Sequence, residues 1–155
     1  MQSPPFPQSP IPGAQGHAEL SRRACLRVVL RMSDLRPTRQ RLDIADRLVG
    51  RDRHVTAEQL HDEVAQAGQP MSLATVYNTL RQFEQSGLLH ELSLEGMRSV
   101  FDTNTSRHHH FYFTDSGRTL DIPSRHLVMT EMLAIPEGYE IGRVEVVVRL
   151  KLKTD

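Results

Sequence analysis

The chain has 155 residues, 38% of them hydrophobic and 5% aromatic, with no Trp and with 19 basic against 19 acidic side chains. That length suits one domain or two small ones, and the absence of any bilayer-length apolar run or signal peptide reads as a soluble, cytoplasmic protein. A single cysteine, Cys25, excludes a disulfide framework and a Cys-rich zinc site, and zero net charge argues against a generic polyanion binder.

The distribution of charge says more than its sum. Residues 20–54 hold ten Arg against four Asp, whereas residues 55–155 hold nine basic and fourteen acidic groups. Such an asymmetry suggests that one end of the chain meets phosphate and the other does something else.

Residues 1–17 contain five prolines among Gln, Ser and Gly, a composition that predicts a disordered arm. From Ala18 to Met32 the pattern is helical, with Leu20, Ala24, Val28 and Met32 assigned to one inward face. Ser33–Pro37 is a loop, and Thr38 caps a second helix with Leu42, Ala45, Leu48 and Val49 inward and Gly50 as its stop. Thr56 opens a third helix through a capping box closed by Gln59, with Leu60 and Val64 inward before Gly68.

In the next stretch, Leu73, Val76, Leu80 and Phe83 recur at steps of three and four, so they share one helical face. The other face carries Thr75, Asn78, Arg81 and Gln82, short hydrogen-bonding groups and a guanidinium in place of the usual Glu/Lys mixture. Ser72 caps its start and Gly87 ends it. These residues fit a helix that packs on a core equally with one that enters a DNA major groove. Leu88–Phe101 alternates and is broken at Leu94–Met97, which predicts a β-hairpin. Short helices followed by a hairpin make a winged helix, assigned to residues 18–102.

Residues 103–155 change character. His108–Phe113 and Arg118–Ile122 predict a second hairpin, Ser124–Leu133 a short helix, and Pro136–Gly138 a turn. Val144, Val146, Val148, Leu150 and Leu152 alternate with polar residues as a final strand. So little structure buries too little to stand alone, so this strand is expected to pair with a second chain. The expected fold class is therefore α+β, a winged helix-turn-helix domain followed by a small α/β dimerisation domain.

Three consecutive histidines open the strand after the wing. Alternation puts His108 and His110 on one side and His109 on the other, and a His-x-His pair is a natural two-nitrogen clamp. Asp102 lies just upstream, Asp121 is on the neighbouring strand, and His54 precedes the Thr56 cap. Nitrogen and oxygen donors without thiolate suit Fe²⁺, Mn²⁺ or Zn²⁺. Three adjacent histidines are equally compatible with a solvated loop.

The motifs L-R-P-T-R-Q-R-L, H-x-T-A-E-Q-L, S-L-A-T-V-Y-N-T-L-R-Q-F, S-G-L-L, S-V-F-D and H-H-H run in one register across residues 18–152. Together they resemble the ferric uptake regulator (Fur) superfamily, and F-D-T-N-x-x-x-H-H-H-F-Y with L-D-I-P is most similar to its Irr branch, the iron response regulators. The resemblance implies a transcriptional regulator of iron- or haem-responsive genes that binds an A/T-rich, two-fold symmetric DNA operator as a homodimer, with a tetramer left open. It implies that Tyr77 contacts bases with Ser72, Thr75, Asn78 and Arg81 nearby, and that Arg36, beside Arg39 and Arg41, enters the minor groove. Many relatives carry Arg where this chain has Asn78, which is suited to adenine.

The same resemblance maps a regulatory metal site onto His54, Asp102, His108, His110 and Asp121. The Cys-x-x-Cys pairs of a structural zinc site are missing, so no such zinc is expected. Cys25 is followed by Leu26 and not by Pro, so the haem motif of some Irr proteins is absent and haem binding would rest on His108, His109 and His110. Members of the family that sense Mn, Zn or peroxide are the nearest alternatives, followed by a winged-helix regulator without a metal. With no H-E-x-x-H, nucleophile elbow or Walker loop, neither an enzyme nor any catalytic residue is expected.

Overall fold

The computed structural model of the chain describes residues 14–92, 98–123, 125, 134–142 and 144–153. The chain divides into two compact units, residues 1–105 and 106–155, and each is built around a three-stranded sheet. This division falls three residues beyond the Asp102 boundary expected from sequence.

In the first unit the order is α1 (Ala14–Met32), α2 (Arg39–Leu48), β1 (His54–Thr56), α3 (Ala57–Gln66), α4 (Leu73–Gln85), β2 (His90–Leu92) and β3 (Val100–Asp102). The caps fall where the side chains required them. Thr38 accepts from the Arg41 amide, Ser72 accepts from the Thr75 amide, and Thr56 with Gln59 forms both halves of a capping box. Gly87 takes a φ of +72° just past α4, a left-handed conformation that costs a residue without Cβ little. Beneath these helices Leu42, Ile44, Leu60, Val64, Val76, Leu80, Phe83 and Phe101 join one apolar cluster.

Three expectations are corrected here. Helix α1 begins at Ala14, inside the segment assigned to the arm, because Pro12 and Gly13 are the last helix breakers before it. Leu20, Val28 and Met32 of the expected inward face are 69%, 54% and 81% exposed, whereas Leu26 and Leu30 are buried. A stripe spaced strictly by four rotates about 40° per step and leaves the face it started on. The side that packs instead recruits arginines: Arg22 pairs with Asp46, and Arg23 reaches the buried Asp43 at 3.0 Å. The third correction is β1, a strand the sequence reading lacked. It adds to the wing to give the antiparallel order β1-β3-β2, with His54 and His90 both opposite Asp102. The expected break at Leu94–Met97 lies outside the described residues.

The second unit is a sheet of β4 (His108–Phe113), β5 (Thr119–Pro123) and β6 (Val147–Leu150), with β4 in the centre. Strand β5 runs antiparallel to β4, with His110 opposite Asp121. Strand β6 is shorter than the expected alternating run, and it pairs in parallel with β4 of its own chain, Phe111 opposite Val148. The expectation that this strand meets a second chain is thereby corrected for one of its edges; the other stands at the border of the sheet. A parallel pair needs a long crossover, and the sequence between β5 and β6 supplies one. The helix expected at Ser124–Leu133 lies, apart from Arg125, outside the described residues, as does the arm before Ala14. Among the described residues, no helix is long and apolar enough to cross a membrane.

Candidate metal centre and nucleic-acid interface

The histidine triplet forms the start of β4, and all three side chains are buried, with His108, His109 and His110 at 4%, 6% and 0% exposure. This removes the solvated-loop reading. Alternation along the strand separates them as expected. His108 and His110 meet edge to face, their Nε2 atoms 2.9 Å apart, while the Nδ1 of His109 accepts from the Val146 amide at 3.3 Å.

The donor set on the His108/His110 side fits a cation. Nδ1 of His108 lies 2.9 Å from the Ser106 carbonyl oxygen, an acceptor that favours the ring proton on Nδ1 and turns Nε2 toward His110 and Asp121. Asp121, carried opposite His110 by the β4–β5 register, brings a carboxylate oxygen to 3.7 Å from Nε2 of His108 and 3.9 Å from Nε2 of His110. Two donors bound to one ion at about 2.1 Å, at angles between octahedral and tetrahedral, stand about 3.0–3.4 Å apart. The imidazole pair is close to that spacing. Two nitrogens and a carboxylate suit Fe²⁺, Mn²⁺ or Zn²⁺ over soft, thiolate-seeking ions.

Within the first unit a second pair forms. The β1–β3 register sets His54 against Asp102, with Nε2 3.6 Å from the carboxylate, and Asp102 also accepts from the Asn104 amide at 2.8 Å. Asp102 is fully buried. His90 shares this level of the ladder from the other side, and its Nε2 lies 3.3 Å from the Thr105 carbonyl oxygen. Sequence reasoning missed His90 because the hairpin it drew ended at Phe101, one residue short of the Asp102 that His90 faces. The predicted ligands thus occur as a His54–Asp102 pair in one unit and a His108–His110–Asp121 set in the other.

Helix α4 presents Asn78 and Arg81 to solvent, with Ser72 exposed at its start. Thr75 is half-buried and shares a 2.9 Å hydroxyl contact with Ser72, so both belong to the cap as well as to the surface. Tyr77 is half-buried against the core, and its hydroxyl donates to Glu58 on α3 at 3.2 Å. Burial and then the Glu58 charge raise the Tyr77 phenol above its ordinary range, so it is a neutral donor at physiological pH. The Glu58 carboxyl is lowered, first by its own backbone amide at the α3 start and then by Thr56 and Tyr77 against the opposing cost of burial.

The three arginines before and on α2 differ in their circumstances. Arg36 is exposed, and Arg39 is 82% exposed with Asp43 at 3.9 Å. Arg41 instead donates to Gln82 on α4 through Nε and Nη2 at 3.0 and 2.8 Å, and to the Arg36 carbonyl at 2.8 Å. It ties α2 to α4. Gln82, counted on the polar face of that helix, is its acceptor. Arg53 likewise grips Glu63 in a two-pronged pair at 3.0 and 2.5 Å. A good part of the basic excess in residues 20–54 is thus internal strutting, which weakens the inference from charge to phosphate.

Known proteins match this arrangement. A sequence model described as the ferric uptake regulator family matches residues 32–149. The peroxide-responsive repressor PerR of Staphylococcus aureus is 33% identical over 105 residues, 68% of this chain and 71% of its own. The ferric uptake regulation protein of Vibrio anguillarum is 32% identical over 114 residues, 72% of this chain and 76% of its own. Among solved structures, the ferric uptake regulator of Pseudomonas aeruginosa with manganese superposes with a TM-score of 0.65 at 27% identity, covering 83% of this chain and 98% of that one. The chain belongs to the ferric uptake regulator family.

Proposed function

We propose that this protein is a DNA-binding transcription regulator whose hold on DNA is set by a divalent cation. The observation that carries the reading is the convergence of the His108 and His110 Nε2 atoms with the Asp121 carboxylate, in a family whose named members include a ferric uptake regulator and a peroxide-responsive repressor. His54 and Asp102 are assigned to the same ion, so that one metal is shared by the reading unit and the sheet unit. Fe²⁺, Mn²⁺ and Zn²⁺ all fit this donor set, and a relative was solved with manganese. An ion held in only one relative arrangement of two units favours that arrangement, with a coupling of roughly 1–3 kcal/mol.

In this reading α4 enters the major groove, where Tyr77, Asn78 and Arg81, with Ser72 and Thr75 at its start, read bases. Arg36 and Arg39 lie along the phosphates and minor groove of an A/T-rich site. The protein acts as a homodimer on a two-fold site, the outer edge of β6 offering a route for strand addition. The genes it controls serve iron homeostasis, as the likeness to the Irr branch implies. Haem ligated by His108, His109 or His110 is the less favoured effector, because all three rings are buried and a porphyrin needs an open face over its axial ligand.

The test is selection of random duplexes on the Mn²⁺-loaded chain, followed by affinity measurement with the metal and with chelator. The expected result is enrichment of a symmetric site whose affinity changes roughly 5–150-fold on chelation, the range that coupling predicts. No enrichment overturns the DNA reading, and an unchanged affinity overturns the metal control. A Soret shift with haemin that a triple alanine variant at His108, His109 and His110 abolishes would restore the haem effector.

A further inference from the structure

His110 is the most deeply buried of the three imidazoles, at 0% exposure, and its two nitrogens face different groups. Nε2 looks toward His108 and Asp121. Nδ1 lies 3.4 Å from a carboxylate oxygen of Glu145, a residue that sequence reasoning placed only among the polar alternates of the last strand. Two hydrogen bonds fix this stretch of chain against β4. The His110 amide donates to the Val146 carbonyl at 2.9 Å, and the Val146 amide donates to Nδ1 of His109 at 3.3 Å. Glu145 is thereby delivered to the back of the His110 ring by backbone contacts of its neighbour.

We infer that Glu145 is a positioning residue for the metal centre, an outer carboxylate that holds His110 with its proton on Nδ1 and its Nε2 lone pair aimed at a divalent cation. The inference rests on the metal reading above and adds a residue to it. His108 has the matching arrangement in neutral form, its Nδ1 held by the Ser106 carbonyl. The two imidazoles thus face different acceptors behind Nδ1, one a carbonyl in hydrogen-bond contact and one a carboxylate at 3.4 Å that is short of hydrogen-bond alignment. An acceptor behind a ligating imidazole fixes its tautomer and raises its basicity, and its loss typically costs about 10–100-fold in metal affinity. Glu145 keeps 30% of its side chain exposed, so it reaches His110 without being a ligand deep in the site. Its carboxylate also adds negative charge behind the donor set, which favours a dication.

The experiment uses the full chain, Mn²⁺ as probe, and E145A and E145Q as variants. Mn²⁺ affinity is measured by chelator competition, and the hydrogen-bonded Nδ1–H of His110 is followed by proton–nitrogen NMR in the Zn²⁺-loaded protein, because without an ion the 2.9 Å contact between the two Nε2 atoms needs a proton on one of them. E145A should bind Mn²⁺ about 10–100-fold more weakly and should lose the Nδ1–H signature of His110 while His108 keeps its own. E145Q, which retains a carbonyl oxygen for that proton, should recover part of both. Unchanged affinity in E145A overturns the inference, and so does an affinity loss with the His110 Nδ1–H signal unaltered, since a packing defect would give that. If the unsubstituted protein binds neither Mn²⁺ nor Zn²⁺, the metal reading falls and the inference with it; if it binds Mn²⁺ and E145A binds it equally well, the inference alone falls.

Discussion

The two units of this chain are filled by different chemistry. The first has a core of aliphatic side chains and phenylalanines running from Leu26 to Phe101. The second has only Tyr112 and Ile122 as buried hydrophobics among its described residues, and the interior of its central strand is occupied by three imidazoles. A unit held by apolar burial keeps its shape whatever ions are present. One whose centre is made of metal-ligating groups gains stability when those groups are bound, because a ligand that binds only the folded form stabilises it. In the proposed reading, the difference separates a unit held by apolar packing from one whose centre responds to a ligand.

The largest effect should come from removing apolar volume from the first unit. Phe83→Ala empties a fully buried site on the inner face of α4 and should cost about 3–5 kcal/mol in urea unfolding, with DNA binding falling as the helix loses its seat. A loss below about 1 kcal/mol, the size of a typical surface change, would mean that α4 is not anchored there.

Next in size is the metal centre. His110→Ala removes a proposed ligand and should weaken Mn²⁺ by more than about a hundredfold, exceeding the span usual for outer groups. That loss is equivalent to roughly 2.7 kcal/mol. His109→Ala is the milder case: its ring points to the other side of β4 and bonds the Val146 amide, one of the two bonds that seat Glu145, so it should cost less than about tenfold, under about 1.4 kcal/mol. Equal losses from the two would erase the two-faced strand and with it the contrast between the units.

How far the sequence reveals each unit follows from the same contrast. The α2, α3 and α4 faces and all three caps were legible because helical periodicity and capping act over a few residues. The alternation of His108, His109 and His110 was legible for the same local reason. What escaped depends on long-range partners. Strand β1 has three residues and exists because β3 pairs with it. The inward side of α1 is set by Asp43 and Asp46 on α2, and so could not be read from α1 alone. Arg41 reads as a phosphate ligand until Gln82 is brought opposite it. The parallel β4–β6 pairing joins residues separated by the whole second half of the unit, and it is what carries Glu145 to His110.

In the proposed mode of DNA binding, Asn78 and Arg39 should separate two kinds of contact. Asn78→Ala should cost about 1–3 kcal/mol of discrimination at the base it faces and little on random DNA. Arg39, exposed at the first position of α2, should on substitution by Ala weaken all duplexes alike and reduce the salt dependence by about one counterion. Equal losses of Asn78→Ala on selected and random duplexes would remove α4 from base reading.

The smallest effect tests the arginine struts that distinguish the first unit. Glu63 on α3 is held by the Arg53 guanidinium, whose hydrogen bonds lower its carboxyl below the usual range, with burial opposing and the charges of Arg53, Arg47 and Arg51 adding to the lowering. A carboxyl lowered in the folded state contributes stability that is fully present above its unfolded value of about 4.3, and that is lost as pH falls through the folded value. Both side chains keep about a third of their surface in water, 27% and 35%, so the contribution is screened. Glu63→Gln should therefore cost about 0.5–1 kcal/mol at pH 7. Urea titrations of the two proteins should begin to converge below the unfolded value of about 4.3 and close the gap as the pH falls through the lowered value of the folded carboxyl. A gap that stayed constant to pH 3 would assign the loss to packing, and the strut would be a contact between shapes, not charges.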